Sequence, residues 1–351
     1  MKPKKIIFLI LLPVFLFLLS RCYVVRQGYT LFKHRLTSEE IHEMLQEKDL
    51  SEKTKSFLKE VLQIKKFAVE YLGLSDHGNY ETYIPIDRDY LIQVVSASRK
   101  DKFEDILFTF PIFGSFPYKG FYDPADAKEL YDELKEEGLD VLIRKSDAYS
   151  TLGILKDPIY SFMENYFSFQ RASLIIHEMV HGTVFIDNQA DFNENLASFI
   201  EKKGAFLYIE KYYGKDSDEY QNALTRQKES KQFLIVMKKA YDELKLLYQE
   251  KLSSEEKLKK REEVFDLFKN QVMADYDKIF QTDRYRFIKD LKVNNAYLRL
   301  FMVYEGNQEI FEKLYLYFNQ NIKSMMTFLK KLDPETLSPE KKVEEILTHV
   351  F

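Results

Sequence analysis

The stretch Ser173-Leu174-Ile175-Ile176-His177-Glu178-Met179-Val180-His181-Gly182 decides how the rest of the chain is read. It contains HExxH. On an α-helix, residues four apart differ by about 40° in azimuth and about 6 Å in rise, so His177 and His181 present their imidazoles to one point and predict two ligands for a divalent metal ion. Glu178 is turned by about 100° from His177, where its carboxylate can accept a proton from water activated by the metal instead of taking a coordination place. Leu174, Ile175, Ile176, Met179 and Val180 make the helix apolar over most of its circumference, which predicts burial, and buried imidazoles need partners. The competing reading is two histidines that only pack or meet solvent. With six His among 351 residues, a chance HExxH is uncommon.

Catalytic zinc takes three protein ligands and leaves one place open, and a chain with one Cys must supply them from His and carboxylates. Asp187 stands where some zinc endopeptidases with an extended HExxH motif carry their third ligand, but Val184 occupies the position of their turn glycine. Glu194 fits better. Asp187-Asn188-Gln189 reads as a turn, and Asp191-Phe192-Asn193-Glu194 begins a returning antiparallel helix whose first turn faces the metal. A rival role for Glu194 is the third residue of a capping box with Asp191 as N-cap, and Asp191 and Glu201 are the remaining ligand candidates. The expectation is Zn2+ held by His177, His181 and Glu194, with Glu178 as general base.

The whole chain has 52 Lys+Arg against 56 Asp+Glu, a net charge of -4, with 45% hydrophobic and 31% charged residues. That is the composition of a folded chain, and it supplies no basic field for a phosphate backbone, so no nucleic-acid partner is expected. The first residues read differently. Met1 to Lys5 hold three lysines, Ile6 to Leu19 are apolar and uncharged, and Ser20-Arg21-Cys22 follows. As a helix the apolar run rises about 21 Å, short of a hydrocarbon core of about 30 Å, which suits a signal peptide over residues 1–21 better than a spanning segment. Leu19-Ser20-Arg21-Cys22 resembles a lipobox, with Arg21 where a small residue is the rule. The expected location is the cell envelope, after export across the inner membrane, with a lipid on Cys22 or an N-terminal anchor at the membrane. Removing residues 1–21 takes four positive charges away and leaves a net charge of -8.

Residues 22–351 read as one predominantly helical α+β domain. Between about 38 and 157, apolar residues three and four apart predict two helices from Ser38 to Leu72, broken near Leu50-Ser51. Tyr90 to Ala97, Ile106 to Phe110, Phe116 to Tyr122 and Val141 to Lys145 predict strands of a small β-sheet, with Ala125 to Glu137 as a helix crossing between strands. Residues 158–214 carry the metal-site helix pair, and 215–351 form a helical C-terminal part. There Phe233, Val236, Met237, Ala240, Tyr241, Leu244, Leu247 and Tyr248 make one stripe, and Ser253-Ser254-Glu255-Glu256 offers a capping box for the second arm of a helical hairpin.

Ile176-His177-Glu178-Met179-Val180-His181 followed by Phe192-Asn193-Glu194-Asn195-Leu196-Ala197 resembles a bacterial family of predicted aminopeptidases with a helical HExxH and a downstream FNExxA element. Phe116 to Phe121, Ala148 to Gly153 and Asn294-Asn295-Ala296 are also similar to it, so the resemblance spans most of the chain after Cys22. It implies a zincin-like helix pair beside the sheet, and a zinc metallopeptidase hydrolysing a peptide substrate with His177, His181 and Glu194 as ligands and Glu178 as base. Met163-Glu164-Asn165 is similar to the segment with which thermolysin-like aminopeptidases hold the substrate amine, but the preceding glycine is missing. If 160–181 is one helix, Glu164 lies about 21 Å before Glu178, too far to share a pocket. Tyr118, Tyr149 and Tyr304 are candidate oxyanion donors because phenols suit that task. Two other classes compete: a non-catalytic zinc-containing envelope lipoprotein acting as a binding module, and a hydrolase of non-peptide amides. A structural zinc site is closed by four protein ligands and needs no base.

Overall fold

Ser51 and Gly73 delimit the helix on which the central layer is built. In a computed structural model describing residues 23–110, 114–147, 156–187, 189–303, 308–332, 341 and 343–345, a helix α1 (Tyr23–Leu36), a short strand β1 (Glu39–Glu40) and one turn α2 (Ile41–Met44) precede α3 (Glu52–Leu72). The Ser51 hydroxyl accepts from Thr54 N at 3.1 Å, capping α3 where the sequence predicts the break. Gly73 ends it at φ 71, a left-handed conformation in which a Cβ would also stand 2.9 Å from Lys323 Cγ. Between these caps, Phe57, Leu58, Val61, Ile64, Phe67, Ala68 and Leu72 form the buried stripe.

The β region follows as β2 (Thr82–Ile84), β3 (Ile92–Ser98), β4 (Phe108–Phe110), β5 (Gly114–Phe116), β6 (Tyr118–Phe121), helix α4 (Pro124–Glu136), β7 (Asp140–Ser146) and β8 (Ile159–Tyr160). It makes three small sheets among the described residues where the sequence predicts one: β1-β2-β8, β6-β3-β7 and the hairpin β4-β5. The predicted strand 116–122 is divided at Pro117, which has no N–H to donate to a ladder. In the second sheet β3 lies antiparallel to both neighbours, with Val94 opposite Gly120 and Arg144, and α4 crosses from one edge strand to the other as expected. Alternation along β3 sends Ile92 and Val94 into the main core, and Val95 and Ala97 to Ala127 and Leu134 of α4.

Helices dominate afterwards. A 3-10 turn (Ser161–Asn165) precedes α5 (Ser168–Thr183), so the continuous helix considered for 160–181 is broken at Tyr166-Phe167, both extended. Glu164 lies in that turn, held by the Tyr83 hydroxyl at 3.0 Å and facing Lys53 at 3.9 Å, so it is occupied locally. Next come α6 (Ala190–Tyr212), α7 (Asp218–Gln249), α8 (Ser254–Ala274), the turn α9 (Tyr276–Ile279), a 3-10 segment (Asp283–Asp290), α10 (Asn295–Val303), α11 (Glu309–Tyr317) and α12 (Ile322–Leu329). The Ser253 capping box is formed in both directions, by Glu256 N to Ser253 Oγ at 3.2 Å and Ser253 N to Glu256 Oε2 at 2.9 Å. Beyond it Phe265, Phe268 and Val272 meet the α7 stripe in a second core. α11 and α12 return to the first core, where Phe311 packs on Phe192 with ring centroids 5.3 Å apart. Among the described residues no helix is long and apolar enough to cross a membrane.

Candidate metal centre

α5 and α6 run antiparallel because residues 184–189 give a short reversal, and the sequence lets the two helices approach closely. A Cβ on Gly204 would fall 2.7 Å from Leu72 Cδ1 and 3.2 Å from Ile176 Cδ1, so α3, α5 and α6 meet where α6 has no side chain. Ala172, Ile175, Ile176 and Val180 of α5 are fully buried with Leu196, Ala197 and Ile200 of α6. Asn193, buried at the start of α6, fixes the reversal by accepting from Ile186 N at 3.0 Å and donating to Ile186 O at 2.8 Å.

This packing directs His177, His181 and Glu194 to one place. Their donor atoms all lie within 4.8 Å of one another: His177 Nε2 is 3.1 Å from His181 Nε2, and the Glu194 carboxylate oxygens are 3.6 Å and 3.4 Å from the two nitrogens. Ligands about 2.1 Å from a tetrahedral ion are about 3.4 Å apart, so the set fits a zinc-sized cation. The chemistry of the donors agrees. The two Nε2 atoms are close enough to share either a proton or a cation, and the anionic Glu194 side chain, half-exposed, supplies the third edge.

Glu201, two turns beyond Glu194 on the same face of α6, binds the other ring nitrogen, His177 Nδ1, at 2.6 Å. Weighed on sequence as a ligand, it lies outside the three-residue group and meets the far side of the His177 ring, so that Nε2 faces the centre. Asp187 is exposed in the reversal and Asp191 exposed in the first turn of α6, and neither belongs to the cluster. The capping-box role for Glu194 is also excluded: Gln189 holds the N-cap position, without a side-chain bond, and Glu194 comes five residues into the contact with the histidines. His181 Nδ1 is buried without a hydrogen-bond partner.

The electrostatics follow from the crowding of acids around the imidazoles. Burial opposes protonation of His177, but hydrogen bonding to Glu194 and Glu201 outweighs it and raises its pKa. Burial and the neighbouring His177 charge lower that of His181. The donor set therefore takes up one positive charge and not two. Glu178 stands beside it with no hydrogen bond among the described residues, and burial pushes its carboxyl up to about 7 against the opposing charge of His177, helped by the negative charges of Asp157, Glu194 and Glu201.

The loop from Gly73 to Glu81 walls this side of the centre, a contribution that sequence reasoning missed. Its Ser75 N donates to Thr183 Oγ1 at 2.9 Å, and the His77 ring lies against Gly182, where a Cβ would be 3.1 Å from Cδ2. Tyr80 is buried at φ 58, a conformation that costs a non-glycine residue about 1 kcal/mol or more, and its N–H donates to Asp157 O at 2.6 Å. Gly182 was the one sequence signal for this close approach. Of the candidate oxyanion donors, Tyr118 lies exposed on β6, while Tyr149 and Tyr304 fall outside the described residues, as do the signal segment, Cys22 and the segment Ala148 to Gly153.

No curated protein and no solved structure shows a significant match to the chain. A family model described as "Putative aminopeptidase" matches residues 22–345, ending at the last described residue, and the chain belongs to that family.

Proposed function

We propose that this chain is an exported zinc-dependent aminopeptidase in which His177, His181 and Glu194 hold the ion and Glu178 is the base. The observation that carries the reading is the convergence of two Nε2 atoms and one carboxylate beside a partly buried acid that has no partner among the described residues. Zinc at such a place supplies Lewis-acid activation of water and polarisation of the peptide carbonyl. Glu178 takes the proton of the attacking water on a carboxylate oxygen and returns it to the leaving amine, and a pKa near neutrality suits a group that must do both. Glu201 accepts from His177 Nδ1 and so fixes the tautomer and the aim of the ring.

An exopeptidase acting at free amino termini also needs an anion for the substrate ammonium, and the candidate we favour is Asp157, whose charge acts on Glu178. Its carboxylate is half-buried and forms no ion pair or hydrogen bond among the described residues, while its backbone is tied to the wall by Tyr80 N and by Asn79 Oδ1, which accepts from Asp157 N at 3.1 Å. The non-catalytic alternative calls for a fourth protein ligand, and among the described residues the cluster contains only three. The test is a panel of peptides with free and acetylated amino termini, assayed with and without a chelator, together with metal analysis of the purified chain. Chelator-sensitive cleavage of the free peptides alone is expected. Bound zinc with no hydrolysis of any peptide or amide rejects the enzyme, and equal cleavage of acetylated peptides rejects the role of Asp157.

A further inference from the structure

Helix α1 is built inside out. Taking about 100° per residue, Val25, Tyr29, Phe32 and Leu36 fall within roughly 60° of azimuth, a continuous apolar stripe. In a surface helix such a stripe faces the core. Here it faces solvent: Val25 is 43% exposed, Tyr29 68%, Phe32 61% and Leu36 70%. The opposite side of the helix, where Gln27 and His34 stand with Tyr23 and Leu31, is the one attached to the protein. Gln27 is buried and accepts from Tyr122 N at 3.0 Å, the Tyr23 hydroxyl donates to Gly120 O at 2.5 Å, and the His34 ring packs edge-on to Tyr122 at 5.4 Å. These bonds fix the rotation of α1, so the apolar face cannot turn inward without breaking them. Gly28, at the margin of the stripe, has open space where its Cβ would be.

Two further observations indicate what covers this face. The fourteen residues of α1 include Arg26, Lys33 and Arg35 on the flanks of the stripe and no Asp or Glu, in a chain that carries 56 acidic residues. Arg26 is paired with Asp126 at 2.6 Å, whereas Lys33 and Arg35 are exposed beside the apolar row, Arg35 with one of its nitrogens donating to Lys156 O at 3.0 Å. An apolar row with basic margins matches the boundary between acyl chains and anionic headgroups. The chain before α1 adds the second point: the apolar run Ile6 to Leu19 and then Cys22 end at the residue where α1 begins, so an anchor or lipid on that segment delivers the helix to a bilayer.

We propose that α1 lies in the plane of the membrane surface, with Val25, Tyr29, Phe32 and Leu36 seated among the lipids and Lys33 and Arg35 at the phosphates. The protein is then held by its tether and also oriented, with a fixed side toward the bilayer. The tether alone leaves the body free to tumble. The proposal stands apart from the peptidase reading, since it uses no residue of the metal centre.

The chain contains no tryptophan, which provides a direct test. Full-length chain carrying Phe32→Trp, and separately Leu246→Trp at a site 67% exposed on α7, is reconstituted in vesicles of phosphatidylethanolamine and phosphatidylglycerol with brominated acyl chains. The expected result is a blue-shifted emission from the Phe32→Trp protein, quenched at least twofold by the bromines, with no quenching of the Leu246→Trp protein. Adding Gly28→Leu, which widens the stripe into open space, deepens the quenching. Equal quenching at both sites in vesicle-bound protein overturns the proposal. So does a blue shift that is insensitive to brominated lipid and accompanied by dimer mass in detergent, which assigns the face to a second copy of the chain.

Discussion

Two clusters of buried charge, one between the sheet and the C-terminal helices and one between α5 and α6, are built from similar groups and end in opposite states. At the first, Asp140, 2% exposed, accepts from Arg261 Nη1 at 2.7 Å and from Asn295 N at 2.9 Å, while Asn295 Nδ2 donates to Arg99 O at 2.8 Å. Every charge meets its partner. At the second, Glu178, Asp157 and His181 Nδ1 have no bonded partner among the described residues, and two Nε2 atoms face each other. A buried charge without a partner is costly and persists only where the remaining structure is stable enough to hold it. The closed cluster joins two cores, and the open one keeps its binding capacity for something outside the chain.

The comparison breaks most sharply at Glu178. Glu178→Gln removes the proton acceptor but keeps shape and ligands, so peptide hydrolysis is expected to fall by about 10²- to 10⁴-fold with zinc content unchanged. Metal analysis beside turnover checks this, and undiminished turnover would falsify the assignment. Glu194→Ala, in contrast, is expected to lose the ion itself.

At the closed cluster the effect moves from activity to stability. Asp140→Ala removes the buried partner of Arg261, which keeps only the exposed Glu262 carboxylate and the Lys100 carbonyl, and leaves Asn295 N without its acceptor, at a cost of up to about 3 kcal/mol; chemical denaturation is expected to show it while activity per folded molecule stays level. Replacing both partners by apolar residues of similar volume should recover most of that loss. If Asp140→Ala lowers activity at unchanged stability, the distinction between the two clusters fails.

Glu201→Gln lies between these extremes, since Glu201 touches a ligand and not the centre. Zinc affinity is expected to drop by roughly 10- to 100-fold, read by competition with a chromophoric chelator, with the fold intact. Unchanged affinity makes its 2.6 Å contact with His177 a packing detail.

Much of this was legible in the sequence where one local rule acts alone. The HExxH spacing puts His177 and His181 on one helical face, Ser51 and the Ser253 box set helix starts, and α4 follows from Asp123-Pro124 and its apolar spacing. The third donor was legible less securely, because Glu194, Asp191 and Glu201 lie on one helix and only the level at which α6 crosses α5 separates a ligand from an orienting group. Asp157, Tyr80 and His77 carry no periodic signal at all. They reach the centre through a loop whose path depends on the long-range bonds of Tyr80 and Asn79. Helix α1 was missed, since the first helix expected after Cys22 began at Ser38, and its stripe would have given an axis and not the side on which the core lies.

Asp157 sharpens the contrast at the smallest scale, because its lack of a partner should be measurable as a pH dependence. Burial raises its carboxyl from 3.8 to about 6, only partly offset by the charge of Arg35, and Glu178, Tyr80 and Tyr160 are the other titratable groups within its field. An acid whose pKa is raised by folding binds its proton more tightly in the native state. Between about pH 4 and pH 6 the folded chain then carries more protons than the unfolded one, so stability falls as pH rises through that window and levels off above it. Asn at this position cannot titrate. The Asp157→Asn variant should match the wild type near pH 4 and exceed it by neutral pH by a few °C in Tm, on the order expected for 1 kcal/mol or so. In the same variant the preference for free over acetylated amino termini should shrink through KM with kcat little changed. A variant that gains stability but keeps its full preference removes the ammonium from Asp157 and leaves the unpaired acid without a function.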